Sequence, residues 1–255
     1  MTSTPSPTTL AGATALVTGA NGGLGQEFVA QLLQRGAAKV YASARTPRAW
    51  DDPRVVPLAL DVTDPDSIAR AVAAAGDTGV VVNNAAISAT APIATTEMQL
   101  LRDIFETNFF GAVAVARAFA PVLATNGGGA LLNIQSVLSW LGLAGAYSAS
   151  KAAFWSAGNS LRLELAPQRT RVVSVHFGYT DTPMTERVDA EKNDPADVVR
   201  SALDGLEAGA VEVLADHLAV EVKIRLSAPV EVQYPGLAAE DRATGMAALQ
   251  ADGPE

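Results

Sequence analysis

The sequence predicts an α/β protein, a doubly wound parallel β-sheet with helices on both faces. Three observations carry that expectation. Short apolar runs, many of them β-branched, alternate with longer helix-like stretches along 255 residues. The runs are hydrophobic almost throughout instead of at every second residue, and glycines cluster at the first junction between a run and a helix. Strands apolar on both faces belong inside a sheet covered on both sides, and intervening helices supply the parallel crossovers.

Taken in order, residues 1–12, "MTSTPSPTTLAG", read as a flexible tail that lacks the charged and apolar regions of a signal peptide. "ATALVT" at 13–18 is the first strand candidate and leads through glycines into a helix near 23–35. "KVYASA" at 39–44 and "VVPLAL" at 55–60 follow, then a helix near 65–75 with Asp64 as N-cap and Pro65 at its first position, where a missing N–H does no harm. "GVVVNN" at 79–84 precedes a long helix near 97–124; "GALLNI" at 129–134 precedes one near 146–166; "RVVSVH" at 171–176 precedes one near 195–208. A last strand, "VEVLA" at 211–215, runs into a helix near 216–227. Residues 13–227 form a single domain on this reading, and 228–255 a C-terminal extension punctuated by glycine and proline.

Composition narrows the chemistry. The chain has no cysteine and two isolated histidines, so disulfides and thiolate metal sites are impossible and metal-free chemistry is the expectation. A net charge of −9 offers no basic stripe for nucleic acid or anionic membranes. The richest apolar stretch, 111–124, is interrupted by Arg117 and closed by Pro121, so no segment is expected to span a bilayer. A cytoplasmic protein is the expectation.

"ALVTGANGGLGQEFV" places Gly19, Gly23 and Gly25 between the first strand and first helix, with Asn21 and Leu24 among them. Glycines there let backbone approach a pyrophosphate, and the helix N-terminus adds N–H groups and a positive dipole. The spacing is TGxxxGxG and not GxGxxG, but its position makes this a Rossmann-type dinucleotide site. The end of the second strand, "YASARTPR", has Ala44 where an acid would hold the ribose of NAD and Arg45 immediately after it. Arg45, with Ser43 as a second donor, suits a 2′-phosphate, so NADP(H) is expected in preference to NAD(H). Asp61 and Val62, after the third strand, are candidates to flank the adenine, Asp61 equally a plain loop carboxylate.

Four stretches then line up: "TGANGGLG" at 18–25, "NNAA" at 83–86, "NIQSV" at 133–137 and "YSASK" at 147–151, with Asn108 in "ETNFFGAV". The ordered set resembles the short-chain dehydrogenase/reductase family over about residues 13–215. The resemblance implies a catalytic tetrad of Asn108, Ser136, Tyr147 and Lys151. Tyr147 and Lys151 are one helical turn apart and share a face. A free phenol titrates at about 10, and a neighbouring ammonium favours the phenolate. In carbonyl reduction Tyr147 would protonate the developing alkoxide, Ser136 would hydrogen-bond the same oxygen, Lys151 would bind the nicotinamide ribose, and Asn108 would position a water linking Lys151 to solvent. Cofactor contacts would come from Gly19, Asn21, Gly23, Leu24, Gly25, Ser43, Arg45, Asp61, Val62, Asn83, Ala85, Tyr147, Lys151, Gly178, Thr180 and Thr182. The family's homodimers and homotetramers would imply association through the helices near 97–124 and 146–166.

Three departures from the family pattern stand out. Ala86 replaces a glycine; Phe177 stands where proline precedes Gly178; and Ser136 to Tyr147 spans 11 positions, a couple fewer than usual. Ser139 is a rival hydroxyl in that loop, and Trp140, Leu141 and Leu143 are equally placed to line the pocket or to join the core. His176 reads as a structural strand-end residue and His217 as an exposed helix residue. The expected activity is NADP(H)-dependent interconversion of a carbonyl compound and an alcohol. The rivals are an idle NADP-binding sensor, which would not need the tetrad, and a lyase or dehalogenase, which would need neither the glycine turn nor Lys151. With a short loop and little chain after the sixth strand, an open apolar cleft suited to bulky ketones is expected, unless residues 227–240 fold over it.

Overall fold

In a computed structural model that describes residues 8–89, 91–234 and 237, strands and helices alternate as the apolar runs imply. β1 (Thr14–Thr18), β2 (Lys39–Ala44), β3 (Val55–Ala59), β4 (Val80–Asn83), β5 (Gly129–Ile134), β6 (Thr170–His176) and β7 (Glu212–Leu214) form one sheet, ordered β3-β2-β1-β4-β5-β6-β7. Every neighbouring pair is parallel. The helices are α1 (Gly23–Gln34), α2 (Pro65–Ala74), α3 (Met98–Phe105), α4 (Ala112–Thr125), α5 (Ala146–Leu165), α6 (Pro195–Glu207), α7 (His217–Ile224) and α8 (Val230–Gln233). Strand order reverses between β1 and β4, which opens a crevice at the carboxyl ends of those strands.

The continuous hydrophobicity of the strands has a direct cause. Ala15 and Val17 of β1 pack with Phe28, Val29 and Leu32 of α1 and Leu203 of α6, while Leu16 between them packs in a cluster with Ile68, Phe119 and Leu161 on the other face. Each large apolar side chain so buried contributes about 1.5–3 kcal/mol. Three helices are capped by aspartates: Asp64, Asp194 and Asp216 accept first-turn N–H groups of α2, α6 and α7, a contribution of about 1 kcal/mol each. α1, like α3 and α5, starts without a side-chain cap, at Gly22.

Three expectations change. The helix foreseen over 97–124 is a rod in which α3 passes through a π-helical turn, Glu106–Gly111, into α4, and Pro121 lies inside α4 instead of closing it. The rod Met98–Thr125 is, by length and composition, apolar enough to cross a bilayer, contrary to the reading of 111–124 alone; here Val115, Phe119 and Leu123 pack it onto the sheet. At the N-terminus, Leu10 is fully buried and Gly12 N–H donates to Gly36 O at 2.8 Å, so residues 8–12 of the foreseen tail join the domain. Positions 1–7, and 235, 236 and 238–255 of the foreseen extension, lie outside the described residues.

Candidate active site

A cleft of about 870 Å³ occupies the crevice and brings most of the foreseen residues together. Gly19, Asn21, Gly23, Leu24 and Gly25 form one wall. A Cβ on Gly25 would sit 2.2 Å from Gly19 O and 2.8 Å from Ala20 Cα, so only glycine allows the turn to close. The uncapped N-terminus of α1 therefore faces the cleft with its N–H groups and dipole free for an anion. Gly178, Thr180 and Thr182 also line the cleft, Thr182 directly against Gly23. Thr180 is buried and its Oγ1 has no hydrogen-bond partner among the described residues. A buried orphan hydroxyl, a glycine cradle and an uncapped helix fit a dinucleotide.

Arg45 is exposed at the rim beside Ala44 and Thr46, and Asp61 and Val62 line the same end. Thr63 holds the Asp61 carboxyl below its ordinary range through backbone and side-chain hydrogen bonds, with help from Arg45. Two foreseen contacts are corrected. Ser43 is fully buried and its hydroxyl donates to Val17 O at 3.0 Å, so it faces the sheet and not a phosphate. Asn83 is buried and its amide donates to Ala112 O and Asn133 Oδ1, so it braces β4 against α4 and β5. The cleft asparagine is Asn84, which donates to Thr18 O and Gly19 O. Thr18 was also missed: its Oγ1 accepts from Asn84 N and Ala85 N, both at 2.9 Å, fixing the segment that presents Ala85 and Ala86 to the cleft.

Ser136, Tyr147 and Lys151 line the cleft. Ser136 follows β5 and its Oγ accepts from Leu138 N at 3.1 Å, which leaves its O–H proton to donate elsewhere. Ser139 is buried and its hydroxyl donates to Gln135 Oε1, so the rival is turned away. Lys151 is buried, donates to Ile134 O at 2.9 Å and lies 5.8 Å from the centre of the Tyr147 ring. Burial pulls its ammonium down to about 8. The phenol does not behave as the sequence suggested: burial, reinforced by the neighbouring Tyr179, pushes Tyr147 up to about 12. Loss of hydration dominates here, so the resting phenol is protonated. Asn108 sits in the π-helical turn, buried; its Oδ1 accepts from Ile87 N at 2.8 Å and its Nδ2 donates to Ile87 O and Ser150 Oγ. Its side chain is thereby engaged in pinning the 87 segment to α5.

The short loop is closed by Gly145, whose φ of +53° and a would-be Cβ 2.0 Å from Ala91 O admit no other residue without a shift. Leu141 and Leu143 line the cleft, whereas Trp140 is buried against His176 with ring centres 4.0 Å apart. Phe177 is also buried, and its carbonyl accepts from Val137 N at 3.0 Å. Gly178 N donates to Asp216 Oδ2 at 2.7 Å, a bond that holds the backbone where a preceding proline was expected.

Burial pulls His176 down to about 4; Ser136 O and Glu212 oppose this, while Lys223 and Lys151 add to it. Between about 4 and the ordinary 6.5 the unfolded chain binds a proton that the native state refuses, so stability falls as pH drops through that window. The loss should approach about 3 kcal/mol. Urea denaturation at pH 7 and pH 4.5 should show it, and His176→Phe should remove that part of the slope.

The comparisons agree with this geometry. Residues 13–193 match the family model described as short chain dehydrogenase. An uncharacterized oxidoreductase of Myxococcus xanthus is 30% identical over 86% of this chain and 90% of its own length. A 1-deoxy-11-beta-hydroxypentalenate dehydrogenase of Streptomyces arenae is 35% identical over 74% of this chain and 75% of its own. Among solved structures, a short chain dehydrogenase from Burkholderia cenocepacia in complex with NADP is 38% identical with a TM-score of 0.85, covering 90% of this chain and 99% of that one. A family match over most of the domain and the seven-stranded parallel sheet with its glycine turn lead to one conclusion: this chain belongs to the short-chain dehydrogenase/reductase family, oxidoreductases that bind a nicotinamide cofactor.

Proposed function

We propose that the protein is an NADP(H)-dependent oxidoreductase that interconverts a ketone or aldehyde and its alcohol, with Tyr147 as general acid and base. The observation that carries this reading is the convergence of Ser136, Tyr147 and Lys151 on the cleft that holds the glycine turn. A sensor would need only the cofactor half. Bound there, the nicotinamide supplies or accepts the hydride. Ser136 donates its free proton to the carbonyl oxygen, Tyr147 protonates that oxygen as it becomes an alkoxide, and Lys151 holds the nicotinamide ribose and supports the phenol electrostatically. A phenol protonated at rest suits the reductive direction. Consumption of NADPH against a panel of ketones, aldehydes and imines tests the reading; tight NADPH binding with no turnover of any of them would overturn it.

Preference for NADP(H) rests on Arg45 and the missing acid at Ala44, with Ser43 now set aside and Thr46 beside Arg45 at the rim. A charge-assisted hydrogen bond is worth about 1.5–3 kcal/mol, so Arg45→Ala should weaken NADPH by roughly ten- to a hundredfold and leave NADH nearly unchanged. Titration of both cofactors checks it, and equal weakening would remove Arg45 from 2′-phosphate recognition.

On the substrate side the cleft is walled by Ile87, Leu138, Leu141, Leu143, Met184 and Leu218, and among the described residues lining it the charged ones are Arg45, Asp61 and Lys151. The substrate is therefore a neutral, largely apolar carbonyl compound. Burying about 60 Å² more apolar surface contributes about 1.5 kcal/mol, so kcat/KM should rise roughly tenfold from acetone-sized to aryl-alkyl or bicyclic ketones. Preference for the smallest would point to residues 227–240, of which Tyr234 Oη accepts from Gly142 N at 2.9 Å and so already touches the loop, while 235, 236 and 238–240 lie outside the described residues.

A further inference from the structure

Ser136 acts only if its hydroxyl is held at a fixed angle to the substrate oxygen, and the short loop after it raises the question of what holds it. Its backbone is extended, and the turn that follows, 137–139, returns Ser139 N–H to Ser136 O at 3.0 Å. That carbonyl has a second lone pair, and His176 Nδ1 lies 3.2 Å from it. A carbonyl only accepts, so the contact requires the proton on Nδ1 and fixes the imidazole tautomer. The ring is fully buried, at the last residue of β6, next to the strand that delivers Ser136.

The other side of the loop is held through the ring face. Trp140 stacks on His176 with an interplanar angle of 18° and meets Trp155 of α5 edge-on at 6.1 Å. Trp155 lies one helical turn beyond Lys151 on the helix that also carries Tyr147. Lys223 of α7 sits 4.9 Å over Trp140 and 5.5 Å over Trp155, and its ammonium pairs with Glu212 at 2.8 Å. Glu212 is in turn 3.8 Å from His176 Nε2. The loop is thus clamped between the end of β6 and the helix bearing the phenol, in place of the residues it lacks.

We propose that His176 is a positioning residue for Ser136: its Nδ1–H fixes the Ser136 carbonyl while its ring face seats Trp140, so that the shortened loop presents Ser136 Oγ to the substrate oxygen. This rests on the reading of Ser136 as the donor to that oxygen. The charged groups around the imidazole are Glu212, Lys223 and Lys151, and its preference for the neutral state keeps the tautomer defined at working pH.

Two substitutions separate the donor from the ring. His176→Phe keeps an aromatic face for Trp140 and loses the donor; His176→Asn keeps an amide donor near Nδ1 and loses the face. With the best ketone of the panel, H176F should lose about tenfold in kcat, the worth of one hydrogen bond, at nearly unchanged KM for NADPH. H176N, which restores the donor without the ring face, should recover part of that loss. A merely structural histidine would lower stability without splitting kcat from KM, and H176N would fare no better than H176F. Wild-type kcat in H176F, or equal loss in both variants, would overturn the proposal.

The chain has two histidines, so long-range ¹H–¹⁵N spectra of histidine-labelled wild-type protein, assigned with His217→Asn, read the tautomer without depending on the folding of an H176 variant. Nδ1–H at neutral pH is expected, and Nε2–H would remove the hydrogen bond and the proposal with it. A wild type that reduces no carbonyl compound overturns the functional reading instead, a result separate from the spectrum.

Discussion

Tyr147→Phe is expected to lower kcat by about two to four orders of magnitude while NADPH affinity stays within a few-fold, because the substitution deletes one proton donor and keeps the ring. Each tenfold loss corresponds to about 1.4 kcal/mol of transition-state stabilisation, so the hydroxyl is being asked for about 3–5 kcal/mol. Single-turnover reduction by the variant, followed through NADPH absorbance, measures it. The phenol also leaves a signature independent of turnover. Its native pKa of about 12 lies above its ordinary 10.0, so the native state keeps a proton that the unfolded chain loses between those values. That contribution is full below about 10 and is lost as pH rises to about 12. The variant should lack this alkaline loss of stability and match the wild type at pH 7. Turnover near that of the wild type would mean the proton comes from another group, with Tyr179, also in the cleft, the first to examine.

Most of the architecture is legible because its signals are local and redundant. β-branched runs, Asp64 before Pro65 and glycines at one junction each depend on a few neighbouring residues. What failed was orientation. The two sequence-assigned cofactor contacts that the structure corrects, Ser43 and Asn83, both lie in strands apolar on both faces, where no alternation reveals which side chains point to the cleft. A shift of one position decides it: Asn84, not Asn83, reaches the cleft. Trp140 was ambiguous for a related reason, since an indole suits a pocket wall or a core equally until its partner is known, and that partner, His176, comes from a strand 36 residues further on. The pKa of Tyr147 was misjudged because spacing shows that Lys151 is near but says nothing of the water both groups lose. Asn108 and Ser136 stand out through their motifs, but the hydrogen bonds that engage them come from distant segments, and of the two only Ser136 lines the cleft.

Lys151→Met is expected to do two opposite things, and the opposition is what makes it informative. Lys151 Nζ lies 5.8 Å from the centre of the Tyr147 ring, and a cation at about that separation from a phenolate, at an effective dielectric constant of about 20, stabilises it by up to about 3 kcal/mol, about two units in proton affinity. Removing the ammonium should therefore lower kcat/KM about a hundredfold, equally for reduction and oxidation because the enzyme cannot move the equilibrium, and should weaken NADPH through the lost ribose contact. Stability should move the other way. The native pKa of about 8, against an ordinary 10.5, means that at pH 7 the fold carries a buried ammonium the unfolded chain holds in water, a cost of about 3 kcal/mol that disappears as pH rises from about 8 to 10.5. Methionine fills similar space without charge and forfeits the charge-assisted bond to Ile134 O, about 1.5–3 kcal/mol. K151M should thus be at least as stable as the wild type at pH 7, by up to about 1.5 kcal/mol, and its stability should no longer rise between pH 8 and 10.5. A lysine kept only for structure would give the reverse, a less stable protein whose activity loss follows its unfolding. Thermal melts and kcat/KM at pH 7 and pH 9.5 distinguish the two, and a destabilised variant with undiminished turnover would remove Lys151 from the mechanism.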